Sequence, residues 1–268
     1  MKDKVVIITG GTSGIGKALA FEFGKQGSLI AITGRHPETV DRTVQELKNR
    51  NIQAIGIVAD VSSLQDNYRM AAQVINQYGK IDILINNAGI SMRALFEEVD
   101  ISVIHTIMNI NFFGAVYATK VCLPYIRQTK GSIVGISSIA GFRGLPARTG
   151  YSASKFALQG FLEALRTELL PTGVHVLIAC PGFTQSNIRK SALLKDGKPQ
   201  GESPRDESKE MPAEEVAKRI YTATLQRKKL LIMTTQGILT VWLNKFFSGW
   251  LDKKVYQALA TEKDSPLH

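Results

Sequence analysis

The sequence reads Thr9-Gly10-Gly11-Thr12-Ser13-Gly14-Ile15-Gly16 directly after a short apolar run over residues 5–9. A continuous apolar run of this length predicts a buried parallel strand. The pattern after the turn predicts a helix over about residues 15–26. Glycines in such a turn let the backbone approach a phosphate closely, and the free N–H groups of the helix N-terminus face it. The stretch therefore predicts a nucleotide-binding turn at the start of an α/β fold.

The same alternation of strand and helix continues along the chain. Six more strands are predicted over about residues 29–33, 54–59, 83–86, 132–136, 174–179 and 230–234, and further helices over about 37–51, 64–78, 101–127, 150–170 and 213–227. This order is typical of βαβ units with right-handed crossovers and a parallel sheet covered on both faces. The 268 residues leave no room for a separate substrate domain of ordinary size. The prediction is a doubly wound α/β Rossmann fold in a single domain, residues 1–268.

One long polar stretch, about residues 185–211, interrupts this rhythm. It follows the sixth strand, where the ligand crevice of an open α/β sheet lies. Long insertions in compact domains are usually mobile or functional loops. We expect a substrate lid here, with a solvated loop of no function as the alternative.

The amino-acid composition limits the kinds of partner that the protein is expected to bind. The formal charge of +10 suits an anionic cofactor, an anionic membrane surface or nucleic acid, or reflects solvated surface alone. No basic run is interleaved with aromatic residues, so a nucleic-acid partner is not expected. The two cysteines, Cys122 and Cys180, lack metal-ligand spacing, which predicts reduced thiols and no metal. With no signal-peptide pattern, we expect a cytoplasmic protein, with membrane association left open.

Three motifs together resemble the short-chain dehydrogenase/reductase family. They are the Gly-x-x-x-Gly-x-Gly spacing, Asp60-Val61 after the third strand, and Asn86-Asn87-Ala88-Gly89 after the fourth. The resemblance covers residues 4 to about 188. It implies a nicotinamide cofactor whose adenine is capped by Asp60 and Val61. The remaining cofactor contacts that it implies in this part of the chain are Gly10, Thr12, Ser13, Gly14, Ile15, Gly16, Asn87, Ala88 and Gly89.

The end of the second strand indicates which cofactor is used. An NAD-type site carries a carboxylate there, which binds the ribose hydroxyls and repels a 2′-phosphate. This chain reads Thr33-Gly34-Arg35-His36, with no acid and with a guanidinium at Arg35. Because a guanidinium binds phosphate bidentately, we predict NADP(H), held in part by Arg35.

A candidate catalytic site is indicated by the stretch Tyr151-Ser152-Ala153-Ser154-Lys155 at the start of a predicted helix. A spacing of four places Tyr151 and Lys155 on one face, one turn apart. A nearby ammonium favours the phenolate and is expected to lower the pKa of the phenol, so that Tyr151 can act as general acid or base. Taken alone, the pair could equally be an ordinary surface pair.

The family resemblance extends this pair to a set of four: Asn111, Ser138, Tyr151 and Lys155. It implies that Ser138 binds the substrate oxygen, and that Asn111 holds a water linking the lysine to solvent. Lys155 would also bind the nicotinamide ribose. Ser137 competes for the serine role, but its spacing to Tyr151 is less favourable. The loop after the sixth strand would contact the nicotinamide through Pro181, Gly182, Thr184 and Ser186.

The substrate pocket is expected to involve Ser91, Met92 and Arg93 after the fourth strand, with Phe142, Phe183 and the lid. The apolar segment at about 237–251 spreads its apolar residues over more than half of a helical wheel. It is interrupted by polar residues and is not a membrane span. Packing against a partner subunit, insertion into a membrane interface, and core packing over the substrate pocket all remain open.

This end of the chain resembles microsomal hydroxysteroid dehydrogenase-like proteins, whose C-terminal segments dock membranes and dimerise. The resemblance implies a lipophilic substrate, such as a sterol, a retinoid or a keto-lipid, and a homodimer or homotetramer. The expected activity is NADP(H)-dependent hydride transfer between the nicotinamide and a small-molecule carbonyl or alcohol. The alternatives are an NAD-dependent alcohol dehydrogenase, a non-catalytic NADP-binding regulator, which would be expected to lose the tyrosine or lysine, and a nucleotide-sugar epimerase, which needs a different glycine spacing.

Overall fold

Seven parallel strands form the centre of the molecule in the computed structural model, which describes residues 1–206 and 210–267. Their order in the sheet is β3-β2-β1-β4-β5-β6-β7. In sequence they are β1 Val5–Ile8, β2 Leu29–Gly34, β3 Ala54–Val58, β4 Ile83–Asn86, β5 Ser132–Ile136, β6 His175–Cys180 and β7 Leu230–Ile232. Because the strand order reverses between β1 and β4, a crevice opens where their carboxyl ends diverge.

Helices cover both faces of this sheet. They are α1 Gly14–Lys25, α2 Pro37–Lys48, α3 Leu64–Tyr78, α4 Ile101–Met108, α5 Gly114–Gln128, α6 Thr149–Glu168, α7 Ala213–Leu225, α8 Thr235–Phe246 and α9 Ser248–Ala260. One buried apolar cluster includes side chains of α3, α5 and α6, and a second includes side chains of α1 and α7. The predicted doubly wound Rossmann fold in a single domain is confirmed.

Local signals in the sequence account for several helix ends. The side chain of Ser63 accepts a hydrogen bond from the backbone N–H of Asp66 and caps the start of α3. The same helix ends at Gly79, whose φ of 75° lies in the left-handed region that favours glycine. Asp100 caps α4 in the same way as Ser63 caps α3, by accepting from the N–H of Ser102.

The long helix predicted over residues 101–127 is not a uniform α-helix. A π-helical turn, Asn109–Phe113, separates α4 from α5. By length and composition the combined helix, residues 101–128, could cross a membrane. Its α5 part buries Ala118, Val121 and Cys122 in a core cluster. We therefore interpret it as a core helix that covers the sheet.

The apolar C-terminal segment also differs from a single continuous run. A break at Phe247 divides it between α8 and α9. Gly237 and Leu251 are buried, whereas Trp242, Phe246 and Trp250 are each more than half exposed. Core packing therefore accounts for only part of this segment.

The polar segment at residues 185–211 contains no helix among its described residues; residues 207–209 lie outside them. It is tied to the rest of the molecule by isolated bridges, Met92 with Leu193 and Thr184 with Met211. Its role as a substrate lid stays a prediction.

Two glycines provide a stability test of this packing. A Cβ on Gly131 would lie 1.9 Å from the carbonyl oxygen of Asp82, which belongs to the backbone and cannot rotate away. We expect Gly131→Ala to lower the free energy of unfolding by about 1–3 kcal/mol, the usual range for overpacking. A thermal melt followed by circular dichroism measures this.

Gly160 is the matched control, since it is exposed in the middle of α6 with no atom within 4 Å of the added Cβ. We expect Gly160→Ala to stabilise the protein by about 0.5–1 kcal/mol, because alanine loses less backbone entropy in a helix. Equal melting temperatures for the two variants would contradict the packing described for Gly131.

Candidate active site

A cavity of about 440 Å³ opens at the carboxyl ends of the strands. Every predicted cofactor residue lines it: Gly10, Thr12, Ser13, Gly14, Ile15, Gly16, Arg35, Asp60, Val61, Asn87, Ala88, Gly89, Tyr151, Lys155, Pro181, Gly182, Thr184 and Ser186. Ser138 lines it as well, whereas Asn111 does not. The structure thus brings together residues that follow the ends of six strands, β1 to β6.

The glycine turn has the shape that a close approach to phosphate requires. Gly10 and Gly14 adopt φ values of 63° and 49°, which other residues adopt only with strain. A Cβ on Gly16 would lie 2.2 Å from the carbonyl oxygen of Gly10, so only glycine fits there. The turn leads directly into the N-terminus of α1, as a bound pyrophosphate needs. These residues fit a dinucleotide.

Asn87 holds this turn against the end of β4. Its side-chain Nδ2 donates to the carbonyl oxygens of Thr9 and Gly10, at 2.9 and 3.0 Å. The hydroxyl of Thr9 in turn accepts from the backbone N–H groups of Asn87 and Ala88. Sequence reasoning missed Thr9, although its position before the first glycine could have suggested a contact with the turn.

The opposite end of the cavity carries the residues predicted to select the cofactor. Arg35 is exposed and lines the cavity beside His36 and Thr39. Asp60 accepts hydrogen bonds from the backbone N–H and the hydroxyl of Ser62, which fixes its carboxylate at the end of β3. A positive side chain is therefore available at the place where an NAD-type site has a negative one.

Tyr151 lies near the start of α6 with only 9% of its surface exposed. Burial raises the pKa of its phenol, while a hydrogen bond with Ser138 and the positive charges of Arg148 and Arg189 lower it. The direction differs from the expectation that Lys155 would lower this pKa. The physical reason is desolvation, which disfavours the charged phenolate, and the counteracting charges are guanidiniums.

Lys155 lies one turn further along α6, and its Nζ is 5.7 Å from the centre of the Tyr151 ring. The ammonium donates to the carbonyl oxygen of Ile136 at 2.9 Å. Burial lowers the pKa of Lys155 to about 8. The lysine is thus held at the end of β5 and can exchange a proton near neutral pH.

Ser137 and Ser138 have separate roles in the structure. Ser137 is buried, and its hydroxyl accepts from Nε2 of Gln159 at 2.9 Å. Ser138 caps a short 3₁₀ turn and bonds with Tyr151. The geometry thus favours Ser138 as the serine beside the tyrosine, as the spacing predicts.

Asn111 lies behind the cavity wall in the π-helical turn. Its Oδ1 accepts from the N–H of Ile90 at 2.8 Å, and its Nδ2 donates to the carbonyl of Ile90 and the hydroxyl of Ser154. A Cβ on Gly89 would lie 3.2 Å from this Oδ1 and 3.5 Å from Nζ of Lys155. Asn111 therefore fixes the loop after β4 next to the lysine, and the predicted water stays a prediction.

The loop after β6 closes the cavity on the nicotinamide side. The hydroxyl of Thr184 donates to the carbonyl of Gly182 at 3.1 Å. A Cβ on Gly14 would lie 3.3 Å from Cβ of Ser186, so this loop and the glycine turn face each other closely. Pro181, Gly182, Thr184 and Ser186 are thus in one place, although their contacts with a cofactor stay predictions.

Sequence reasoning placed the substrate pocket only in part. Ser91 and Phe183 line the cavity, whereas Met92 is fully buried and neither Phe142 nor Arg93 is among the lining residues. Four charged residues that line the cavity were missed: Arg148, Arg189, Arg205 and Glu262. Arg148 alone had a signal, since it lies three residues before Tyr151.

Fold and site together define a nucleotide-binding α/β protein with a tyrosine, a serine and a lysine in its cleft. Residues 4–196 match the profile of the short chain dehydrogenase family. The chain belongs to this family of oxidoreductases, whose members bind nicotinamide nucleotides.

Curated relatives agree with this assignment. The chain is 36% identical over 236 residues to dehydrogenase/reductase SDR family member 7B of Xenopus laevis, covering 85% of this chain and 73% of that protein. It is 40% identical over 189 residues to 11-beta-hydroxysteroid dehydrogenase 1A of Arabidopsis thaliana, covering 69% of this chain and 53% of that protein.

Solved structures share the fold at lower identity. A short chain dehydrogenase/reductase from Burkholderia phymatum in complex with NAD superposes with a TM-score of 0.83 at 24% identity, covering 93% of this chain and 95% of that chain. An alcohol dehydrogenase from the archaeon Thermococcus sibiricus, complexed with 5-hydroxy-NADP, gives 0.77 at 21% identity, covering 87% and 96%. One neighbour holds NAD and the other an NADP derivative, so these structures do not choose between the cofactors.

Proposed function

We propose that this protein is an NADP(H)-dependent oxidoreductase that interconverts a carbonyl compound and its secondary alcohol. The observation that carries the proposal is the placement of the Tyr151 phenol. The phenol lies in the cavity that the glycine turn opens into, where Ser138 also lines the wall and lowers the pKa of the phenol. A non-catalytic regulator would not need this buried tyrosine with a lysine one turn away.

The nicotinamide supplies or accepts the hydride when it is bound. Ser138 donates a hydrogen bond to the substrate oxygen and orients the carbonyl. Tyr151 gives its phenolic proton to that oxygen as the alcohol forms, and takes the proton back in the reverse direction. Lys155, whose pKa is about 8, can return a proton to the Tyr151 phenolate after the transfer. Asn111 acts as a positioning residue through the loop at Ile90.

Arg35 supports NADP(H) over NAD(H). Its guanidinium is exposed at the cavity edge, and the end of β2 carries no carboxylate. A 2′-phosphate placed there would gain charge-assisted hydrogen bonds rather than repulsion. A cell that keeps this cofactor reduced would use the enzyme mainly as a reductase.

The outer face of α8 and α9 supports membrane contact. Trp242, Phe246 and Phe247 form an exposed aromatic group. The ring centre of Trp242 is 5.3 Å from that of Phe246 and 6.5 Å from that of Phe247. The exposed Lys245 precedes Phe246 in the chain, and Nζ of the exposed Lys254 is 5.8 Å from the ring centre of Trp250. Aromatic side chains flanked by lysines suit the interface of an anionic bilayer. We propose peripheral membrane docking through this face and a lipophilic substrate.

The homodimer or homotetramer predicted from the sequence stays a prediction. A second copy of the chain would compete with the membrane for the same aromatic face, because each would bury the same side chains. The 185–211 segment is proposed as the lid, since Ser186, Arg189 and Ser191 line the cavity.

Removing the phenolic hydroxyl tests the chemistry. Tyr151→Phe should lower kcat by about 10²- to 10⁴-fold, the contribution of a positioned general acid. Binding of NADPH, measured by fluorescence titration, should stay within about twofold of the original protein, since the ring remains. The control is Tyr68→Phe, at an exposed position on α3, which should change neither quantity. Unchanged turnover in Tyr151→Phe would refute the mechanism.

The cofactor preference is tested by Arg35→Ser. The dissociation constant for NADPH should rise by about 10- to 100-fold through loss of charge-assisted hydrogen bonds, while that for NADH should change little. Arg42→Ser, an exposed guanidinium on α2, is the control. An original protein that binds NADH as tightly as NADPH would overturn the preference and turn the search to alcohols oxidised with NAD.

Membrane docking is tested by co-sedimentation with vesicles of phosphatidylcholine alone or with phosphatidylserine added. The protein should pellet with the anionic vesicles and be released by salt. Replacing Trp242 and Phe246 together with serine should abolish pelleting, whereas Leu170→Ser, an exposed leucine after α6, should not. A protein that stays in the supernatant but doubles its mass by light scattering would instead assign the face to a second copy.

A further inference from the structure

Positive side chains surround the end of the cavity where Tyr151 lies. The guanidiniums of Arg148, Arg189 and Arg205 all line it. The charges of Arg148 and Arg189 act directly on the Tyr151 hydroxyl, lowering its pKa against the effect of burial. Arg148 and Arg189 are thus close to the position that a substrate carbonyl would occupy, Arg205 lines the same cavity, and no step of the proposed proton transfer uses them.

Glu262, in the turn after α9, joins three guanidiniums at this place. Its Oε2 is 2.7 Å from Nη2 of Arg148 and 3.9 Å from Nη2 of Arg93, and its Oε1 is 3.2 Å from Nη1 of Arg205. The carboxylate is only 5% exposed. Arg205 also lies 3.9 Å from the buried carboxylate of Glu210, and Asp264 acts on Arg93. Arg148 thus shares its carboxylate with two other guanidiniums.

A purely structural ion-pair network would account for the attachment of the C-terminal turn. Two features go beyond that role. The first is Arg205, which is one third exposed and lies with its guanidinium carbon 3.7 Å from the centre of the Phe183 ring, next to Gly182. A guanidinium held on an aromatic ring at the cavity wall keeps donors free to bind a planar anion.

The second feature is the backbone just before Arg148. Ala147 is buried and adopts a φ of 57°, in the left-handed region that is strained for a non-glycine residue. Its carbonyl accepts from the N–H of Ala94 at 3.0 Å, which holds the loop in this shape. Strain of this kind persists where the surrounding structure enforces it, typically at functional sites. The next residue, Arg148, lines the cleft and lies three residues before Tyr151.

We propose that Arg148 and Arg205 bind an anionic group, a carboxylate or a phosphate, on the carbonyl substrate. Glu262 holds the two guanidiniums in place and competes with that group for their N–H donors. The inference rests on the proposed function and specifies its substrate class: an anionic carbonyl compound, with an apolar remainder where the substrate is also lipophilic. A planar guanidinium suits both anions because its paired donors match two oxygens.

The experiment compares keto acids of increasing chain length with their methyl esters, using the NADPH-bound protein. Binding is read from the fluorescence of bound NADPH, and turnover from its oxidation. Acids should bind at least about tenfold more tightly than their esters, the lower end of a charge-assisted hydrogen bond to a buried site. Added salt should reduce that ratio.

Variants separate this site from general effects on the cleft. Arg148→Gln should reduce the acid-to-ester ratio of kcat/KM by about 10- to 100-fold, because only the acid uses the guanidinium. Any effect through the pKa of Tyr151 changes acid and ester alike and leaves the ratio unaltered. Glu262→Gln should raise the ratio by removing the competing carboxylate. Arg166→Gln, further along α6 and away from the cavity lining, is the control and should leave it unchanged.

Melting temperature and NADPH binding report whether each variant is folded. Should Arg148→Gln fail to fold, Arg205→Gln and Arg148→Lys test the same site, the lysine keeping the charge without the paired donors. Esters that bind and react as well as acids would overturn the inference and leave the proposed function standing. Acids that bind through Arg148 while no carbonyl compound is ever reduced would do the reverse.

Discussion

The cleft of this molecule depends on the hydrogen bonds between Asn87 and the backbone of Thr9 and Gly10. All strands are parallel, so their carboxyl ends meet at one edge, and the order reverses between β1 and β4. Two loops therefore leave neighbouring strands and turn in opposite directions. The Asn87 side chain joins the two loops. A Cβ on Gly16 would lie 2.4 Å from its Nδ2, so only a glycine leaves room for this amide. The N–H of Gly11, which donates to the carbonyl of Thr33 at 2.9 Å, holds the other side of the glycine turn against β2.

The same edge explains the electrostatics of the reacting groups. Tyr151 and Lys155 belong to α6, which packs on the sheet through Leu158 and Leu162. Because that packing buries both side chains, each pKa shifts in the direction that favours the neutral form of its group: upward for the phenol and downward for the ammonium. The ordinary pKa values of the two groups are close, 10.0 and 10.5, so burial separates them and makes the Lys155 ammonium the stronger acid, which favours return of a proton to the phenolate. The charges that stabilise the phenolate come from the arginines at the mouth of the cleft.

Periodic patterns made the fold and the centre of the site predictable. Continuous apolar runs marked the strands, the glycine spacing marked the turn, and the Tyr151–Lys155 spacing marked one face of a helix. The π-helical turn Asn109–Phe113 was not predictable, since it arises where Asn111 bonds to the distant loop at Ile90. The break at Phe247 was not predicted either, although Ser248 and Gly249, two weak helix formers, follow it directly. Tertiary contacts thus decide the position of the π-helical turn.

The charged residues at the mouth of the cleft were not predicted from the sequence, because the side chains that meet there are far apart along the chain. Arg148 and Glu262 are 114 residues apart, so no local pattern joins them. The family match ends at residue 196, whereas Arg205 and Glu262 both lie beyond it.

Residues within the matched region supply the nucleotide turn and the reacting groups. The region after it supplies the guanidinium on Phe183, the carboxylate that binds Arg148, and the helix pair whose outer face carries the aromatic group. The inner side of that helix pair buries Leu251 and Leu259, close in sequence to Glu262. The carboxylate at the cleft mouth and the exposed aromatic side chains therefore belong to one packed segment beyond the matched region, whereas Tyr151 belongs to the helix that packs on the sheet.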